Sequence, residues 1–130
     1  MASWHLYTNS QYGYSIKYPA DWKVQDMGAL EQLVPSYIVF NLANASASAR
    51  SITVSVSLRP IQDQLAIEGQ VGSSITVASI AGKQMALQDS DGTLSRLILL
   101  PRASNLLLLH AVSAYASIFN QMLQTLKFTN

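Results

Sequence analysis

The chain has 130 residues, 49% of them hydrophobic and 12% charged, with a formal net charge of +1. That length carries one domain with a sizeable core, 1–130, and the composition is too apolar and too weakly charged for disorder. The eight Lys and Arg residues are scattered, so there is no basic patch to neutralise phosphates, which argues against nucleic acid as a partner.

The N-terminal "MASWHLYTNS" lacks the basic start and apolar run of a secretory signal. The longest apolar stretches, "LILL" and "NLLLLHAV", are far shorter than a bilayer-spanning helix. The absence of cysteine excludes disulfides, thiolate metal ligands and a lipid-anchor cysteine within this sequence.

Residues 12–18, "YGYSIKY", alternate. Tyr12, Tyr14, Ile16 and Tyr18 share one face, the pattern of a half-buried strand. Residues 6–8 are its expected partner, with Asn9-Ser10 as the turn. Pro19 ends the strand because it lacks an N–H, and Trp22 is expected to turn back onto the core.

Residues 27–34 place Met27, Leu30, Leu33 and Val34 at helical spacing, which predicts one or two helical turns. Residues 37–42 read as a strand apolar on both faces, and 43–50 as a loop. Residues 51–59 alternate cleanly, Ile52, Val54, Val56 and Leu58 against Thr53, Ser55 and Ser57. Residues 60–68 suit a short helix with Pro60 at its first position and Gly69 as its stop, though an extended reading fits too.

Strands are then expected at 74–80 and 83–88 around an Ala81-Gly82 turn, and at 93–100 and 105–112 after an Asp89–Gly92 turn. Residues 101–104 join the last two. Those two are apolar on both faces, as central strands covered on both sides are. The clearest cover is 115–126: Tyr115, Ile118, Phe119, Met122, Leu123 and Leu126 form one helical face, with Ser113 as the expected N-cap. About six or seven mostly antiparallel strands with this C-terminal amphipathic helix give an α+β domain.

The chemistry-bearing residues are few. No nucleophile-elbow pattern occurs, and there are two histidines, His5 and His110. His110 falls on an apolar strand face and is expected to be a hydrogen-bonded core residue. The rival reading is a hydrolase that pairs it with a serine.

Asp89-Ser90-Asp91-Gly92 has the look of an acidic calcium loop, but position twelve from Asp89 is Leu100, inside a predicted strand. A hairpin turn is the expectation for Asp89 and Asp91. Asp21, Asp26, Glu31, Asp63 and Glu68 are scattered, and nothing places two of them in register. Asn44-Ala45-Ser46 matches a glycosylation sequon. Trp4, Tyr7 and Tyr37 are expected to be half-buried strand aromatics rather than an exposed binding face. No catalytic residue, metal site or cofactor is assigned from these patterns.

Residues 7–24, "YTNSQYGYSIKYPADWKV", resemble the entry motif of PsbP-like domains, in which a tyrosine-glycine-aromatic strand runs into Tyr-Pro-x-x-Trp. Residues 119–129, "FNQMLQTLKFT", are similar to the closing helix and tail of that superfamily, with Leu126 in place of the usual phenylalanine. Residues 79–87, "SIAGKQMAL", resemble an internal strand-turn-strand around a glycine.

The resemblance implies an α-β-α sandwich around a central antiparallel sheet. The superfamily includes a photosystem extrinsic protein, a Ran-binding import factor and bacterial envelope lipoproteins, so it shares a fold rather than a function. The acidic surface of the import factor has no counterpart here. The resemblance implies a non-catalytic, extracytoplasmic module that binds a protein partner or the envelope. An export signal with its lipobox cysteine is then expected ahead of this sequence, with Met1-Ala2 as an added start. The alternative is a small-ligand module with an apolar pocket between sheet and helix. The low charge also suits a subunit interface.

Overall fold

The computed structural model describes residues 4–46, 49–69, 72–102 and 104–128; the expected added start, Met1-Ala2, lies outside them. The described residues form ten strands and two α-helices. Their alternating apolar residues build two sheets that share one main core.

The opening motif folds as read. β1 (His5–Asn9) pairs antiparallel with β2 (Tyr14–Tyr18), Leu6 opposite Lys17. Asn9 organises the turn: its carbonyl accepts from the Gly13 amide at 2.9 Å and its Oδ1 from the Tyr12 amide at 3.0 Å. Tyr14 and Ile16 are fully buried, with Tyr12 and Tyr18 packed beside them. After Pro19 the chain turns, the Trp22 amide bonding the Pro19 carbonyl at 3.0 Å, and Trp22 enters the core.

Trp22 also begins β3 (Trp22–Asp26), a strand that the residue pattern does not announce. It pairs with β4 (Ser36–Leu42), Asp26 opposite Ile38. The helical spacing over 27–34 is therefore misleading. This segment is the loop of the β3–β4 hairpin, and the Met27 amide continues the ladder onto the Tyr37 carbonyl at 2.9 Å. Gly28 takes the left-handed region (φ 71°), and Leu30 and Val34 close a tight turn, amide to carbonyl at 2.9 Å. Met27, Leu30 and Leu33 are exposed rather than packed.

β5 (Ile52–Ser57) pairs with β4 on one side and with β9 (Leu106–Val112) on the other. Its alternation sorts side chains between two faces, yet both faces are buried: Thr53, Ser55 and Ser57 are covered as well as Ile52, Val54 and Val56. α1 (Ile61–Glu68) settles the ambiguous stretch as a helix. Pro60 is its extended N-cap rather than its first helical residue, and left-handed Gly69 ends it, its amide bonding the Leu65 carbonyl at 3.0 Å.

β6 (Ser73–Val77) and β7 (Ile80–Gln88) form a hairpin whose two-residue turn is Ala78-Ser79, not Ala81-Gly82. Both turn residues have positive φ, 52° and 67°, which is the twist a two-residue hairpin needs. Gly82 lies within β7 for another reason. A Cβ there would stand 2.1 Å from the Leu99 carbonyl oxygen of β8 (Leu94–Pro101). Asp89 to Gly92 make the predicted β7–β8 turn, the Gly92 amide bonding the Asp89 carbonyl at 2.9 Å.

The large sheet runs β3-β4-β5-β9-β8-β7-β6, each neighbouring pair antiparallel, and the greasy β8 and β9 are interior as expected. A short 3₁₀ turn (Ser113–Tyr115) leads into α2 (Ala116–Thr125). Ser113 is part of that turn and caps nothing; Tyr115 holds the N-cap position of α2 without a side-chain bond. Phe119, Met122 and Leu123 pack on the face of the sheet that carries Ile38, Val54, Leu109 and Ile98. β10 (Lys127–Phe128) then adds to β2, making the small sheet β1-β2-β10 beside α2. On the opposite face, Ile61 and Leu65 of α1 cover Met85, Leu97, Leu99 and Leu106. The result is the α+β sandwich with helices on both faces of a central antiparallel sheet.

Candidate functional site

Two of the clefts among the described residues lie on the faces of the large sheet, one on each. The first lies on the α1 face and has a volume of about 380 Å³. β5 and β9 supply its floor, with Thr53 and His110 directly opposite one another in the ladder. Gln64, Ile67 and Glu68 of α1 form one wall, and Leu30, Glu31 and Val34 of the β3–β4 loop form the other. Arg59 and Glu31 make an ion pair at its edge.

His110 sits in this cleft, half-buried. No group among the described residues hydrogen-bonds its ring, which corrects the expectation of a bonded core histidine. Burial holds its pKa below the ordinary 6.5, while the charges of Asp89 and Glu68 pull the other way. Glu68 accepts a hydrogen bond from Gln64 Nε2 at 2.9 Å and is thereby turned to its own helix. A nucleophile-base pair needs a hydroxyl bonded to the imidazole and a third group orienting it. Neither contact is made.

The second cleft lies on the α2 face, between β7, β8 and the start of α2, with a volume of about 440 Å³. Its lining is mainly apolar, with Arg96 the charged residue. Arg96 Nε and Nη2 donate to Gln84 Oε1 at 3.1 and 2.7 Å, and Nη1 donates to Asn120 Oδ1 at 2.7 Å. Residue patterns passed over this cluster. The available signal was a lone arginine inside the otherwise apolar run "RLILL".

The remaining candidates do not converge. His5 is exposed on β1, and the charges of Asp21 and Asp63 lie exposed on separate elements. Asn44 is exposed in a turn. Asp91 Oδ1 accepts from the Thr93 amide at 2.9 Å, and that bond lowers its carboxyl pKa, so the acid serves the turn itself. Among the described residues no group of three His, Asp or Glu is placed to hold a metal ion, and no helix is long and apolar enough to cross a membrane. Trp4 and Tyr7 are half-buried against the main core, while Tyr37 is half-buried at the first cleft.

No protein-family model matches the sequence, and no curated protein does. Solved structures do. The solution structure of cyanobacterial PsbP (CyanoP) from Synechocystis sp. PCC 6803 superposes with a TM-score of 0.61, over 98% of this chain and 94% of that one, at 12% identity. The fold is PsbP-like. A crystal structure from Bacteroides thetaiotaomicron VPI-5482 matches with a TM-score of 0.57 at 13% identity, over 96% of this chain and 48% of that one. The entry motif thus marks the PsbP-like architecture here. Its Tyr14 is core, Tyr7, Tyr12 and Tyr18 pack half-buried against that core, and Trp22 begins the first strand of the large sheet.

Proposed function

We propose that this PsbP-like domain is a non-catalytic, extracytoplasmic module that binds a protein partner through its α1 face. One observation carries the reading. Leu30 and Leu33 of the β3–β4 loop, Leu58 just after β5 and Ile67 of α1 are 61%, 42%, 48% and 59% exposed. Leu30 and Ile67 line the cleft itself, and the Leu58 amide bonds the Leu33 carbonyl at 2.8 Å. Several large apolar side chains left in water on and beside one cleft are characteristic of an interaction surface, whereas a single one is ordinary. The Arg59–Glu31 pair supplies the polar rim that such patches have. The unmade contacts of His110 favour binding over catalysis, and the resemblance to envelope relatives supports placement outside the cytoplasm.

A photo-crosslinking residue placed at Leu30 or Ile67 should trap one defined protein in cells. The same residue at Leu6, equally exposed but on the small sheet, should not. Equal labelling from all three sites would defeat the reading. A cross-link to a second copy of this chain would replace it with self-association. Cell fractionation with an antibody tests the compartment, and recovery in the cytoplasm would overturn that part.

A further inference from the structure

The second cleft lies across the sheet from the α1 face and bears on a different activity. It is made by small residues. Arg96 of β8 faces Ala86 of β7 on one side and Ala111 of β9 on the other, and α2 opens above them with Ala116. Three alanines where larger side chains would fill the space leave the hollow of about 440 Å³. Leu94 and Phe119 supply its bulkier walls. That volume falls in the roughly 300–1,000 Å³ range of small-molecule sites, which are mostly apolar with a few placed polar groups.

Arg96 is the charged group of the cleft, beside the polar Ser73, Gln84, Ser95 and Ser113, and its charge is not neutralised. Its partners, Gln84 and Asn120, are neutral amides, and among the described residues no carboxylate comes within salt-bridge reach of it. The guanidinium also stands 5.8 Å from the Phe119 ring centroid. These contacts hold the group in one orientation. A guanidinium has five N–H donors, and three are engaged, so two remain. A fixed guanidinium with one donor left on each of Nη1 and Nη2, beside an apolar hollow, matches a carboxylate with an apolar tail: the charge and the spare donors suit the carboxylate oxygens, and the walls suit hydrocarbon. An inorganic anion would leave the walls wet, and a neutral hydrocarbon would leave the charge unpaired.

We propose that the cleft between β7, β8 and α2 binds a small amphipathic monocarboxylate, with the carboxylate on Arg96 and the tail between Leu94 and Phe119. The site is on the opposite face of the sheet from the protein-binding surface and does not depend on it.

Titration calorimetry of the full chain with octanoate, butyrate and octanol tests this. Octanoate should bind at least tenfold more tightly than either butyrate, which lacks the tail, or octanol, which lacks the charge. Arg96→Gln should reduce octanoate affinity at least tenfold while leaving octanol within twofold. Ala86→Leu fills the hollow from an exposed strand position, keeps the arginine, and should weaken octanoate at least tenfold; it decides the matter if Arg96→Gln fails to fold. Parent-like octanoate binding by Ala86→Leu, equal binding of octanoate and octanol by the parent, or no octanoate binding at millimolar concentration would each overturn the proposal.

Discussion

Trp22 meets Tyr115 edge to face, with ring centroids 5.1 Å apart and planes at 85°. The contact joins the first strand of the large sheet to the turn that starts α2, so the two ends of the main core are tied by one aromatic pair.

Trp22→Ala should therefore cost about 3–5 kcal/mol, the range of large core truncations. Urea unfolding followed by circular dichroism checks it. A loss below about 1 kcal/mol would mean that the tryptophan does not hold these elements together.

Gly82→Ala should be destabilising although an alanine has good backbone freedom in a strand. The added methyl would meet the Leu99 carbonyl oxygen at 2.1 Å and the Leu100 Cδ2 at 2.9 Å, so β7 must move away from β8. A cost of about 1–3 kcal/mol is expected for such overpacking. Amide exchange should quicken in residues 83–88 and 94–101 before it does elsewhere.

The Tyr14 hydroxyl is buried and makes no close hydrogen bond, although the Tyr7 hydroxyl and the Asn9 side chain stand near enough to influence it; Asn9 Nδ2 donates to the Tyr7 hydroxyl at 3.3 Å. Tyr14→Phe removes an unsatisfied polar atom and keeps the ring, and should leave stability unchanged or raise it by about 1 kcal/mol. Burial also raises the Tyr14 pKa above the ordinary 10.0. The folded chain then keeps a proton that the unfolded chain releases, so stability falls as pH rises past 10. In Tyr14→Phe that alkaline loss should shrink.

His110 carries the acid-side counterpart. Its folded-state pKa lies below the ordinary 6.5 because of burial, so on acidification the unfolded chain takes up a proton first. Stability is fully present above pH 6.5 and falls as pH drops through that value towards the folded-state pKa. Denaturation midpoints of parent and His110→Gln between pH 5 and 7 check the sign. The variant should show the flatter profile, and an identical slope would place the pH dependence elsewhere.

The strands were legible wherever one face repeats every second residue. Residues 14–18 and 52–57 carry that pattern, while 106–112 was legible as a continuous apolar run and α2 from the i, i+3, i+4 spacing of Phe119, Met122 and Leu123. Residues 22–26 were not, because "WKVQD" is an edge strand with only its tryptophan buried, so burial imposes little pattern on it. Residues 27–34 misled for the converse reason. Their apolar residues lie on an exposed surface, and periodicity cannot tell a packed face from an exposed one. Arg96 and its cleft were hidden because two of the three alanines that make the hollow lie on other strands and the third on α2, and cross-strand register is a tertiary fact.

β10 has a consequence for the order of folding. Phe128 lies opposite Tyr14 in the small sheet, and the Lys17 amide is bonded by Thr125 Oγ1 at 2.9 Å, 108 positions along the chain. Closing so long a loop costs more entropy than any hairpin in the molecule, and it is rewarded only after the segments between are in place. The small sheet is thus completed late. During synthesis the opening tyrosine strand must wait for Lys127 and Phe128 to leave the ribosome, with one edge unpaired until they arrive.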